Sequence, residues 1–198
     1  MTTKEKILIV ALKLFAKSGF EAVSVSNISF ELGITKGALY RHYKSKRDIF
    51  QSILLKMEEN DTKRAKEFKV PEEEYSKMPQ KYKNTSFVDL IYYTRKQFEY
   101  WTEDEFASNF RKMITLEKYR DKEMEKLYKN YLSTGVLSYL EDIFRVINFG
   151  KIKDYKLLAI EFFSTFYMLI DIYDVTENKA DVKNLFEKHL MLFCEKYI

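Results

Sequence analysis

An all-α fold is the one this chain predicts, and three observations predict it. Apolar residues recur at helical spacing from the first turns to the last. Five glycines and two prolines in 198 residues leave too little turn punctuation for sheets. Helix-starting and helix-ending residues fall where the periodicity changes. Together they give about nine helices: a small three-helix helix-turn-helix domain over residues 1–50 and a larger helical domain over 51–198. At 46% hydrophobic and 32% charged residues the chain reads as globular and soluble, not disordered or membrane-embedded. The lone cysteine, Cys194, excludes an internal disulfide framework and fits a reducing cytoplasm.

The first helix places Ile7, Leu8, Ala11, Leu14 and Phe15 on one face and Lys6, Lys13 and Lys17 on the other. Those lysines interrupt the apolar run, and no small-residue cleavage site follows, so it is a helix of the domain and not a secretory leader. Gly19 ends it. Ser24 caps a second helix to Leu32, with Ile28 and Leu32 pointing inward and the small Ser29 able to bond its hydroxyl to the preceding turn. Gly33 supplies the left-handed residue at that helix's end. Thr35 is the N-cap of a very short third helix, held to the core by Ile34 and Leu39. Ser45 with Asp48 marks the start of a fourth, amphipathic helix running from Ile49 to about Phe68.

Charge is concentrated in this first part. Residues 1–50 carry nine bases and four acids, a net +5, leaving −1 for the rest of a chain whose total is +4. Between Lys36 and Arg47 there are five bases (Lys36, Arg41, Lys44, Lys46, Arg47) and no acid. A basic, aromatic helix following a helix and a Gly turn is suited to a phosphate backbone and to the major groove.

On these residues the chain resembles the DNA-binding domain of the TetR/AcrR family of bacterial transcriptional repressors. The resemblance covers residues 6–50. It rests on Ala11, Leu14, Phe15 and Gly19-Phe20, then Ile28, Gly33-Ile34-Thr35-Lys36-Gly37, Leu39-Tyr40, His42-Tyr43 and Lys46. Ser29 stands where the family usually has Ala, and Val23 where it often has Thr. The resemblance implies that Ser24, Tyr40, Tyr43 and Lys46 hold phosphates and that Gly37 lets backbone approach the duplex. It further implies that Ser26, Lys36, Ala38, Arg41 and His42 face the groove, with Lys36 the best candidate for a guanine contact. Free N–H groups opening the third and fourth helices add to the phosphate contacts.

Beyond the fourth helix, residues 69–86 hold Pro71, Pro79 and the acidic run 72–74, and read as a loop with a solvated surface. Helices are expected over Phe87–Trp101, over a short segment with Phe106 and Phe110, and over one long stretch from about Leu116 to Ile147. Gly135 lies inside that stretch at a cost of about 1 kcal/mol against Ala. Asn148-Phe149-Gly150 ends it. The segment 154–174 is apolar nearly all round and about 30 Å long, but Lys156, Glu161 and Asp171 argue against membrane insertion. A helix apolar on all sides must be covered on all sides, and the last helix, 181–197, covers one face. The other asks for a partner, most simply a second copy about a two-fold axis. The resemblance implies the same: TetR-like proteins dimerise through their last two helices.

The expected activity is therefore a cytoplasmic homodimer that represses from a palindromic double-stranded operator and is released by a small hydrophobic or aromatic effector. Candidate effector contacts are Tyr93, Trp101, Phe110, Met113, Phe163 and Tyr167. The alternative is a DNA-binding or scaffolding protein of the same fold that takes no inducer. Catalysis is not expected: two histidines and one cysteine stand apart in sequence, and no nucleophile elbow, zincin or Walker motif occurs. No metal or cofactor is implied.

Overall fold

Thr2 opens the first helix with a capping box. Its hydroxyl accepts the Glu5 N–H (3.2 Å), and the Glu5 carboxylate accepts the Thr2 N–H (2.7 Å). From this start the computed structural model, which describes residues 1–70, 77, 82–148 and 154–197, is all-α, with ten helices and no strand among the described residues. The helices are α1 (Thr3–Ser18), α2 (Val25–Glu31), α3 (Lys36–Tyr40), α4 (Lys46–Glu67), α5 (Phe87–Glu103), α6 (Glu105–Glu117), α7 (Lys122–Leu132), α8 (Thr134–Ile147), α9 (Tyr155–Val175) and α10 (Lys179–Tyr197). They form two compact units. One comprises Met1–Lys63 with Asp104–Tyr128, the other Arg64–Glu103 with Lys129–Ile198.

The first unit is built on α1, whose Ile7, Ala11, Leu12, Phe15 and Ala16 are buried. Phe20 folds back after Gly19, and its ring lies 5.1 Å from both Phe15 and Phe50. Ile28, Leu39, Ile49 and Ile53 complete the core beneath the small helices. The unit also includes α6, which packs along α1 and buries Ala107, Phe110, Met113 and Ile114. The short segment expected around Phe106 and Phe110 is thus a full helix of thirteen residues.

In the second unit α9 is central, packed by α8, α10 and α5. Its aromatic face interlocks with its neighbours. Phe162 lies 4.7 Å from Phe193 and 5.7 Å from Phe144, and Phe98 stacks on Phe186 at 4.1 Å. Each such ring pair adds about 0.5–1.5 kcal/mol beyond its burial. Trp101 is buried on α5, its ring 5.3 Å from Tyr100 and 6.2 Å from Tyr131. Paired charges tie the rim: Arg95 to Glu187 at 2.9 Å, and Lys196 with the Tyr197 hydroxyl to Glu161, each at 2.7 Å. Leu157, Ile160, Met168, Ile172 and Val175 on α9 stay exposed, as do Leu185, Met191 and Leu192 on α10.

The single long helix expected over 116–147 is three pieces. Glu117 ends α6, and Asp121 starts α7 by accepting the N–H groups of Glu123 (2.8 Å) and Met124 (3.0 Å). At Ser133 the backbone leaves the helical region (φ −147°, ψ −119°) and α8 begins. Gly135 belongs to this break. A Cβ there would stand 2.5 Å from the Asn130 carbonyl oxygen and 2.9 Å from its Cα. The glycine is required by close backbone approach, so its helix propensity is beside the point. The α4 terminus is likewise specific: Lys69 takes φ +54° while Val70 N–H reaches the Ala65 carbonyl (2.9 Å). Both prolines and the acidic run 72–74 lie outside the described residues, as do Phe149 and Gly150, whereas Asn148 caps α8 in the left-handed region at φ +57°.

Propensity alone would have Gly135→Ala stabilise the chain by about 1 kcal/mol. The contact with Asn130 reverses the sign. Denaturant melts of Gly135→Ala are expected to show a loss of about 1–3 kcal/mol.

Candidate nucleic-acid interface

The helix-turn-helix is assembled by backbone caps at each junction. Ser24 and Asn27 close a box at the start of α2: the Ser24 hydroxyl accepts the Asn27 N–H (3.2 Å), and the Asn27 carbonyl accepts the Ser24 N–H (2.8 Å). Ser29 donates its hydroxyl to the Ser26 carbonyl (3.1 Å), the back-bond its size permits at a close crossing. Gly33 then turns the chain at φ +64°, and Ile34 N–H returns to the Ser29 carbonyl (3.0 Å). No atom lies within 4 Å of where its Cβ would be, so the torsion alone calls for glycine. Thr35 accepts the Ala38 N–H (3.1 Å) and α3 begins.

Five residues of helix cannot hold themselves. Leu39, completely buried, holds α3 to the core, a burial that contributes about 1.5–3 kcal/mol. The opposite side of α3 and its approach are open: Ser24, Lys36, Gly37, Tyr40, Arg41 and His42 are exposed, and Ser26 and Ala38 are half-buried. Tyr40 leaves half its surface in solvent, so it is no core residue. A Cβ on Gly37 would find only the Thr35 hydroxyl, at 3.9 Å, so the backbone there faces outward unobstructed.

Two of the ten sequence candidates are placed differently. Tyr43 is buried, and its phenol donates to the Lys4 carbonyl (3.2 Å). Burial, helped by the Asp48 carboxylate, pushes that phenol up, so it remains a donor at neutral pH. Lys46 is half-buried. Its ammonium donates to the Phe20 carbonyl (2.7 Å) and sits 4.2 Å from the Phe20 ring centre. The remaining bases, Lys36, Arg41 and Lys44, point to solvent.

The functional residue that sequence reasoning passes over is Glu117. Its side chain is 4% exposed, and its carboxylate accepts the Phe20 N–H (2.9 Å) from ninety-seven residues away. Gly19, at φ +84°, makes the room: a Cβ there would lie 2.5 Å from the same carboxylate oxygen. Arg47 at the head of α4 pairs with Glu123 of α7 at 2.5 Å. Acids spaced along a distant helix give no local signal of such contacts.

The effector candidates fall in both units. Phe110 and Met113 are fully buried in the first unit, whereas Tyr93, Trp101, Phe163 and Tyr167 belong to the second. The second unit holds a cavity of about 560 Å³ whose walls include Phe68, Val70, Leu90 and Tyr139; of the six candidates, Tyr93 lines it. No cluster of three or more metal-ligating side chains occurs among the described residues. No described helix is long and apolar enough to cross a membrane.

Comparison with known proteins accords with the caps and the open α3. The model of the bacterial regulatory proteins of the tetR family matches residues 7–53, the three small helices and the start of α4. The family match is confined to this N-terminal head. The chain is 43% identical over 51 residues to the transcriptional regulator AcrR of Shigella flexneri and 40% identical over 52 residues to the transcriptional repressor BepR of Brucella suis. Each alignment covers 26% of this chain, and 24% and 25% of those proteins. The regulator YerO of Bacillus subtilis is 47% identical over 49 residues, 25% of this chain and 17% of its own length. The chain thus matches no more than about a quarter of these relatives' length. The fold extends further. A TetR-family regulator from Marinobacter aquaeolei superposes with a TM-score of 0.67 at 19% identity, over 100% of this chain and 92% of that one. The fatty acid degradation regulator FadR of Bacillus halodurans does so with 0.60 at 17%, over 98% and 95%.

Removing the Glu117 carboxylate leaves the Phe20 N–H without its acceptor. Glu117→Ala is expected to cost about 1–3 kcal/mol in chemical denaturation, with Glu117→Gln, which keeps a carbonyl acceptor, recovering part of that loss.

Proposed function

We propose that this chain is a DNA-binding transcriptional regulator: a cytoplasmic homodimeric repressor that leaves a palindromic operator when a small hydrophobic ligand binds its body. In this reading residues 1–50 are the reading head and 51–198 the regulatory and dimerising part. The observation that carries it is the exposed side of α3 and its flanks, where Lys36, Arg41 and Lys44 face solvent with no acid between Lys36 and Arg47. Phosphate contacts from the exposed Ser24 and Tyr40 set the register. Lys36, Arg41 and His42, with Ser26 and Ala38, meet base edges, and Gly37 admits the backbone.

Support for the dimer is the uncovered apolar surface of α9 and α10, from Leu157 to Leu192. Eight exposed large apolar side chains on two neighbouring helices call for cover by a second copy, which brings two heads to one duplex. Support for an effector is an open cleft of about 560 Å³ in which Phe68, Leu90, Tyr93 and Tyr139 stand beside Lys66, Lys69 and Asp89. A ligand releases DNA only if it favours the protein state that fits the operator less well.

Selection of bound sequences from random duplexes tests the reading directly. A near-palindrome is expected, with half-sites about 34–36 Å apart or a multiple of that. Against the selected site, Lys36→Ala should cost on the order of 1–3 kcal/mol and blur one base position, while Lys44→Ala should weaken operator and random DNA alike. A monomer in solution that shows no salt-sensitive preference for any duplex would overturn the proposal.

A further inference from the structure

The turn joining α6 to α7 reads Glu117-Lys118-Tyr119-Arg120-Asp121-Lys122-Glu123, and its formal charges cancel. Their placement does not. Glu117 is buried and accepts the Phe20 N–H; Asp121 caps α7 through the Glu123 and Met124 N–H groups; Glu123 pairs with Arg47. Each acid of the segment is directed to a partner inside the unit. The bases are not so confined. The Arg120 side chain is 69% exposed, with Glu117 no nearer than 4.0 Å, and Lys122 is exposed. Tyr119, just before Arg120, is 88% exposed, and Lys118 lies 5.0 Å from its ring and 3.7 Å from that of Tyr128.

The position of this turn is fixed by the same contacts. Glu117 holds the N–H of Phe20 and Lys46 holds its carbonyl, so one residue of backbone separates the turn from the start of α4. Glu123 binds Arg47, the next residue of α4. The turn therefore adjoins the start of α4, the helix that follows the exposed bases Arg41 and Lys44 in the chain, within one compact unit. An exposed aromatic flanked by arginine and lysine matches the sugar-phosphate backbone in charge and in apolar surface.

We propose that the α6–α7 turn is a second phosphate-contacting surface, through which Arg120, Lys122 and Tyr119 grip duplex DNA outside the segment read by α3. It rests on the DNA-binding reading above. Such contacts strengthen binding to every sequence equally and carry no base information.

The test measures binding of the full chain to a labelled random duplex and to its selected site between about 50 and 200 mM salt. The double variant Arg120→Gln/Lys122→Gln is expected to lower the slope of log affinity against log salt by about 1–2 on both duplexes, and Lys122→Gln alone by about 1. The two substituted side chains lie at the surface, so melting curves should superimpose on that of the native chain. A native chain that binds with a slope unchanged in both variants overturns this proposal alone. A native chain that binds neither duplex overturns it together with the DNA-binding reading.

Discussion

The peptide of Phe20 is held from both sides, and the head depends on it. Its N–H meets a buried carboxylate, its carbonyl meets the Lys46 ammonium, and its ring lies against Phe15 and Phe50. Charge-assisted hydrogen bonds of this kind are about twice as strong as neutral ones, and here two of them fix one residue. Release of either would free the turn that sets where α2 begins, and α2 in turn positions the Gly33 turn and α3. Because Glu117 comes from α6, the geometry of the head is set partly by a segment a hundred residues downstream.

The second unit obeys a different constraint. Its helix α9 is apolar on most sides, and the aromatic rings it shares with α5, α8 and α10 settle which face is turned inward. What stays outside is aliphatic and methionine-rich: Leu157, Ile160, Met168, Ile172, Leu185, Met191 and Leu192. Rings need fixed neighbours, whereas flexible side chains adapt to a surface that arrives later.

Local chemistry was legible in the sequence wherever the responsible residues are neighbours. Ser24, Gly33, Thr35 and Ser45 announced the helix boundaries because a cap acts over three residues. The apolar excess of α9 was visible for the same reason. Long-range events were not legible. Asp121 looks like any surface acid in a helical run, so the α6–α7 break was read through, and Gly135 looked like a weak helix residue because its conflict with Asn130 exists only once the chain bends. Tyr43 and Lys46 were grouped with the exposed bases and aromatics, yet the fold turns them toward Lys4 and Phe20. Aromatic density in a sequence does not distinguish a packed ring such as Phe110 from a cavity wall such as Tyr93.

Trp101 gives the molecule a built-in optical asymmetry. It is the chain's one tryptophan, it is buried, and it lies in the second unit. Its emission therefore records the packing of that unit, while the reading head, which has only phenylalanine and tyrosine, is silent at the same wavelength. Loosening of the second unit can thus be followed by itself in unlabelled protein.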